Sequence, residues 1–143
     1  MKRFLKGIIF SLILTSMAAA QSSKHEKIAD LNQLFNRCNW RIRRINSIVS
    51  KWPSDNDYRL VIYELEKLSA LVQIAQDDFE PETGKEKFTE VSESLKETCA
   101  KMIGDSKNKN HEQLKQNTNS LFKEYTEFKL RLQDKPIRQT TEE

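Results

Sequence analysis

Apolar residues recur at alternating steps of three and four through four long stretches of this chain, and helix-breaking residues gather between those stretches. The first stretch, about 24–51, sets Ile28, Leu31, Phe35, Cys38, Ile42, Ile45 and Val49 in a row, with Trp52 continuing it. The second, about 55–80, carries Tyr58, Val61, Leu65, Leu68, Val72, Ala75 and Phe79. The third, about 85–103, carries Phe88, Val91, Leu95, Cys99 and Met102, and the fourth, about 108–135, carries His111, Leu114, Thr118, Leu121, Tyr125, Phe128 and Leu132. At about 3.6 residues per turn such steps return to one side of a helix, so each stretch predicts an amphipathic helix. The period-two alternation of a half-buried strand is missing from all four, and the predicted fold class is all-α. Trp52-Pro53-Ser54-Asp55, Pro81-Glu82-Thr83-Gly84 and Gly104-Asp105-Ser106 mark the joints, and Pro136 marks the end of the fourth helix. Joints this short favour antiparallel neighbours, which makes an up-down-up-down antiparallel four-helix bundle over 21–135 the expected architecture.

The first twenty residues belong to a different pattern. Lys2, Arg3 and Lys6 precede a short apolar run from Gly7 to Leu14, and Ala18-Ala19-Ala20 supplies small residues for cleavage. This reads as a signal peptide over 1–20, cut near Ala20, which predicts a periplasmic or secreted protein with no integral membrane segment in the mature chain. Removing it takes away three of the 24 basic residues and leaves 21 against 21 acids. The basic balance of the full chain therefore gives no support to a nucleic-acid partner. Of the glycines only Gly84 and Gly104 remain, which leaves no material for a glycine-rich phosphate loop. Residues 136–143 lack apolar periodicity and are expected to form a disordered tail.

Little of the remaining chemistry points to catalysis. His25 and His111 fall at the starts of the first and fourth helices, at opposite ends of an antiparallel bundle, so they cannot share a metal within one chain. His111 is expected to be a partly buried packing residue. No Cys-x-x-Cys, no Ser-His-acid set and no Glu-x-x-His pair is present, and an enzyme is not expected. Cys38 and Cys99 lie about fourteen residues into the first and third helices, which run parallel, so the two thiols share one height. An oxidising compartment favours a disulfide between them; the other reading is two buried thiols packing as small apolar residues.

The feature closest to function is electrostatic. Arg37, Arg41, Arg43, Arg44 and Lys51 occur with no acid between Leu31 and Ser54. Arg37, Arg41 and Arg44 flank Trp40, which is off the core stripe, and Trp with Arg is the pairing that dominates binding hot spots. Arg37, Trp40, Arg41 and Arg44 thus form a candidate partner surface, with another envelope protein as the expected partner. The competing reading is a solvated stripe paired with acids of neighbouring helices, such as Glu64, Glu66, Glu90, Glu93 and Glu97.

Ala29-Asp30-Leu31 at the first helix, the Pro81–Gly84 loop before Lys87-Phe88, and Lys123-Glu124-Tyr125-Thr126-Glu127-Phe128 in the fourth helix resemble the cytochrome b562 and cytochrome c′ superfamily of four-helix bundles. The resemblance implies a periplasmic bundle and, in most of the family, haem. The b-type members hold haem with a Met in the first helix and a His in the last, whereas Leu34-Phe35 and Tyr125-Thr126-Glu127 stand here. The c′-type members use Cys-x-x-Cys-His in the last helix, which here has no cysteine. Phe35, Leu121, Tyr125 and Phe128 are expected to fill the haem volume. The reading is a haem-less, non-enzymatic interaction or accessory module without a cofactor. The alternative is a haem-binding electron-transfer protein with different ligation.

Overall fold

The computed structural model describes residues 27–141, with side chains through 133. Four helices fill this span: α1 (Leu31–Val49), α2 (Asp55–Asp78), α3 (Lys85–Lys107) and α4 (His111–Thr141). Each packs on its chain neighbour, and α1 closes the ring against α4 along the least extensive seam. No Cα of α1 comes within 8 Å of one in α3, nor any of α2 with α4, among the described residues. The molecule is an all-α four-helix bundle with α1 and α3 on one diagonal. Among the described residues no helix is long and apolar enough to cross a membrane.

Local chemistry sets the ends. At α1 the Asp30 carboxylate accepts the Gln33 amide at 2.8 Å, and the Gln33 side chain accepts the Ala29 amide at 2.7 Å. This reciprocal cap starts the helix at Leu31 rather than near Lys24, with Ile28 and Leu31 still packed against the core. Ser54 and Asp57 form a capping box at α2. The Ser54 bonds hold the Asp57 carboxyl below its ordinary range. Gly84 begins α3 at φ +73°, a conformation that side chains resist.

Two expected boundaries move. Gly104-Asp105-Ser106 lies inside α3, because one glycine costs only about 1 kcal/mol in a helix interior and Ser106 bonds back to the Met102 carbonyl at 2.8 Å. The turn falls instead at Lys109, whose φ is +53°. Helix α4 continues past Pro136 to Thr141, beyond the predicted end at 135. A proline removes one backbone donor and bends a helix, and it need not terminate it. The signal peptide, His25, Glu142 and Glu143 lie outside the described residues.

The predicted stripes form the core. Leu34, Phe35, Leu65, Leu95, Met102 and Leu121 are buried, and Phe88, Phe128 and Tyr125 stack in sequence at centroid distances of 5.7 and 6.2 Å. Trp52 departs from its expected place and is 80% exposed. Helix α1 ends at Val49, so the rotation that would carry residue 52 inward is lost, and Pro53 is buried instead.

The cysteines expected to bridge are not paired in this structure. Cys38 and Cys99 are both buried and free, and their Cα atoms are more than 8 Å apart across the bundle diagonal. A disulfide needs about 4.4–6.8 Å, so matched height does not compensate for the diagonal. Burial, then the neighbouring Cys99 thiol, pushes Cys38 up to about 12; burial and the Glu124 charge do the same for Cys99. A thiolate is what reacts, so native protein near about pH 8 should leave a thiol reagent unconsumed. Denaturant without reductant should then release two reactive thiols per chain, whereas a denatured chain with none would restore the bridge.

Candidate interaction surface

The surface is organised from beneath by a carboxylate. Glu64 falls on the side of α2 that meets α1 and is 1% exposed. Arg41, itself only 8% exposed, donates Nη1 to Glu64 Oε2 at 2.9 Å. Arg44 brings Nε to Glu64 Oε1 at 3.3 Å while its side chain stays 42% exposed. Each carboxylate oxygen therefore holds one guanidinium, and a buried anion of this kind needs such partners to offset its lost hydration.

Above this pair the rings assemble. The Arg41 and Arg44 guanidinium carbons lie 4.9 and 5.2 Å from the Trp40 centroid. Arg41 also lies 5.8 Å from the Tyr63 centroid, and Lys67 Nζ is 5.4 Å from the same ring. Such cation–π contacts contribute about 0.5–1 kcal/mol each where exposed. Trp40 and Tyr63 nonetheless remain 52% and 50% exposed. Arg37, half-buried, stands one turn before Trp40. Arg41 and Arg44 thus converge on one buried anion, Glu64, with Lys67 beside Tyr63 on the neighbouring helix.

The structure brings Trp40, Arg41 and Arg44 together as the sequence reading expects, and changes the role of one of them. Arg41 is the buried tie between α1 and α2, not an outward-facing contact. Of the acids named as partners for a solvated stripe, Glu64 pairs with the arginines, while Glu90 and Glu93 pair with Lys87 and Lys96 within α3. Tyr63 and Lys67 are the additions. An aromatic off the apolar stripe of α2 is the signal that points to Tyr63, as it does for Trp40.

Other polar groups are engaged inside the fold. His111 lies against the end of α1, with Nε2 3.0 Å from both the Val49 and Lys51 carbonyls and the Trp52 ring 4.6 Å away. One N–H shared between two carbonyls satisfies the end of a helix, which makes His111 the packing residue expected. Glu124 accepts hydrogen bonds from the Ser94 and Thr98 hydroxyls, tying α4 to α3. Tyr125 donates its hydroxyl toward the Phe35 carbonyl at 3.4 Å, and burial raises its pKa above the usual phenol value.

Fold and surface together define the class: a four-helix bundle with a half-exposed guanidinium–aromatic face on α1 and α2. Comparison with protein-family models, curated proteins and solved structures finds no match for this chain.

Proposed function

We propose that this protein is an exported, non-enzymatic interaction or accessory module that works in the periplasm, similar to a haem-less cytochrome b562 bundle, and docks a second envelope protein through the α1–α2 face. The observation that supports this most is the half-exposure of Trp40 and Tyr63 over a buried Arg41–Glu64 pair. Trp40 and Tyr63 place two half-exposed rings on one face, and a ring already held by guanidiniums is ordered for contact. Phe35, Leu121, Tyr125 and Phe128 are all buried side chains of the core, in keeping with a bundle that needs no cofactor to fill it.

The test separates docking from packing. Trp40→Ala should cost only about 1–2 kcal/mol, the two cation–π contacts and some apolar cover. Capture of the envelope partner from the native host should be lost in the same variant. Wild-type capture by Trp40→Ala, or a loss of stability well beyond that range, would end the reading. A Soret band in protein isolated from its own host would replace it with the haem-carrier alternative.

A further inference from the structure

We infer that the α1–α2 face is built to take a carboxylate-rich polypeptide segment, with Arg44 as its anchoring fork. This inference rests on the docking role proposed above and names the chemistry of the partner.

A guanidinium has two usable edges. Arg44 turns Nε inward to Glu64 Oε1 at 3.3 Å and sets its plane near the Trp40 ring at 5.2 Å. With one edge and one face engaged, the guanidinium has few orientations left. The side chain stays 42% exposed, and because Nε makes the contact with Glu64, the Nη1–Nη2 end lies outside that pair. That end is the fork that receives a carboxylate through two parallel hydrogen bonds. Ordering it in advance removes part of the entropy cost that a free surface arginine meets on binding.

The neighbours extend the same chemistry. Lys67 lies over Tyr63 on the adjoining helix and adds a second cation across the α1–α2 seam. The acid-free run from Leu31 to Ser54 means that α1 itself offers no repulsion to an incoming carboxylate. The exposed parts of Trp40 and Tyr63 supply apolar contact beside the charges, which suits acidic segments carrying an apolar residue.

The same details count against the other anionic partners. A single-stranded nucleic acid gains most by stacking bases on open ring faces, and here Arg41 and Arg44 already lie over Trp40 while Lys67 and Arg41 lie over Tyr63. An anionic bilayer is read by point charges with inserted apolar groups, and it makes no use of a directional fork.

Binding can be read by fluorescence anisotropy on the full bundle with a labelled peptide of alternating Glu and Phe residues. Phosphatidylglycerol vesicles and a single-stranded DNA oligomer serve as the competing probes. The peptide should bind most tightly at low salt. Arg44→Lys, which keeps the charge and loses the fork, should weaken it about fivefold or more. Lys67→Glu, on the other helix, should weaken it at least as much, so the proposal stays testable if Arg44→Lys fails to fold. Trp52→Ala, at the bundle end, should bind as wild type. Equal affinity in wild type and folded Arg44→Lys, tighter binding of vesicles or DNA than of the peptide, or no peptide binding would each overturn the proposal. Those outcomes leave the docking role standing if Trp40→Ala still abolishes capture of the envelope partner; loss of that dependence removes the docking role itself.

Discussion

Glu64→Ala is expected to lower stability by about 3–5 kcal/mol in chemical denaturation, the largest effect of any single polar substitution in the bundle. The carboxylate is 1% exposed and holds Arg41 at 2.9 Å and Arg44 at 3.3 Å. Its removal takes the Glu64 charge from a guanidinium that is 8% exposed, and weakening the compensation of a buried charge costs more than breaking a surface pair. The double variant Arg41→Met with Glu64→Leu should recover most of the loss, because apolar residues of similar size remove the charge problem instead of halving it. That pattern separates charge from packing. A Glu64→Ala protein within about 1 kcal/mol of wild type would show that both arginines swing into water at little cost. The consequence for function is direct, since Arg44 would then lose the inward contact that orients it.

Phe128→Ala should cost about 3–5 kcal/mol by the same measurement, the apolar counterpart of the first effect. Phe128 is fully buried and stacks between Phe88 at 5.7 Å and Tyr125 at 6.2 Å, so it joins α3 and α4 through a run of aromatic rings. Truncation removes the transfer gain of the ring and leaves a cavity that rigid helices close only in part. Phe128→Leu, which retains most of the volume, should lose much less. The two variants together measure how far the core depends on being filled at this level. If Phe128→Ala unfolded near the wild-type midpoint, the aromatic run would be loosely packed, and the filled-core argument for a bundle without a cofactor would weaken.

The contrast between Arg41 and Arg44 shows how far sequence reading reaches here. Arg41 lies at the edge of the α1 apolar stripe, three after Cys38 and four before Ile45, and Arg44 lies further round, yet both read as surface candidates. Only the placement of α2, with Glu64 at the matching height, buries Arg41 and leaves Arg44 as the exposed member. Tyr63 and Lys67 join the surface for the same reason. Each has an ordinary place on its own helix, and its value comes from what stands opposite. The cysteines give the converse case. Their shared height follows from counting residues along parallel helices, but the distance across a bundle diagonal is lateral, and residue counts carry no information about it.

Properties that depend on angle around a single helix are legible in the chain alone: four helices, their core stripes, the buried place of His111, the outward turn of Trp40 and the acid-free basic run of α1. Sequence reading errs where that angle stops applying, as at Trp52 beyond the end of α1, or where a lone Gly104 or Pro136 is too weak to stop a helix. The packing of separate helices against one another sets how deeply Arg41 is buried, which residues of α2 complete the surface, and the distance between Cys38 and Cys99. Those outcomes depend on the lateral order and axial register of neighbouring helices, which are set by how side chains from separate stretches of chain interlock and not by the periodicity of any one stretch.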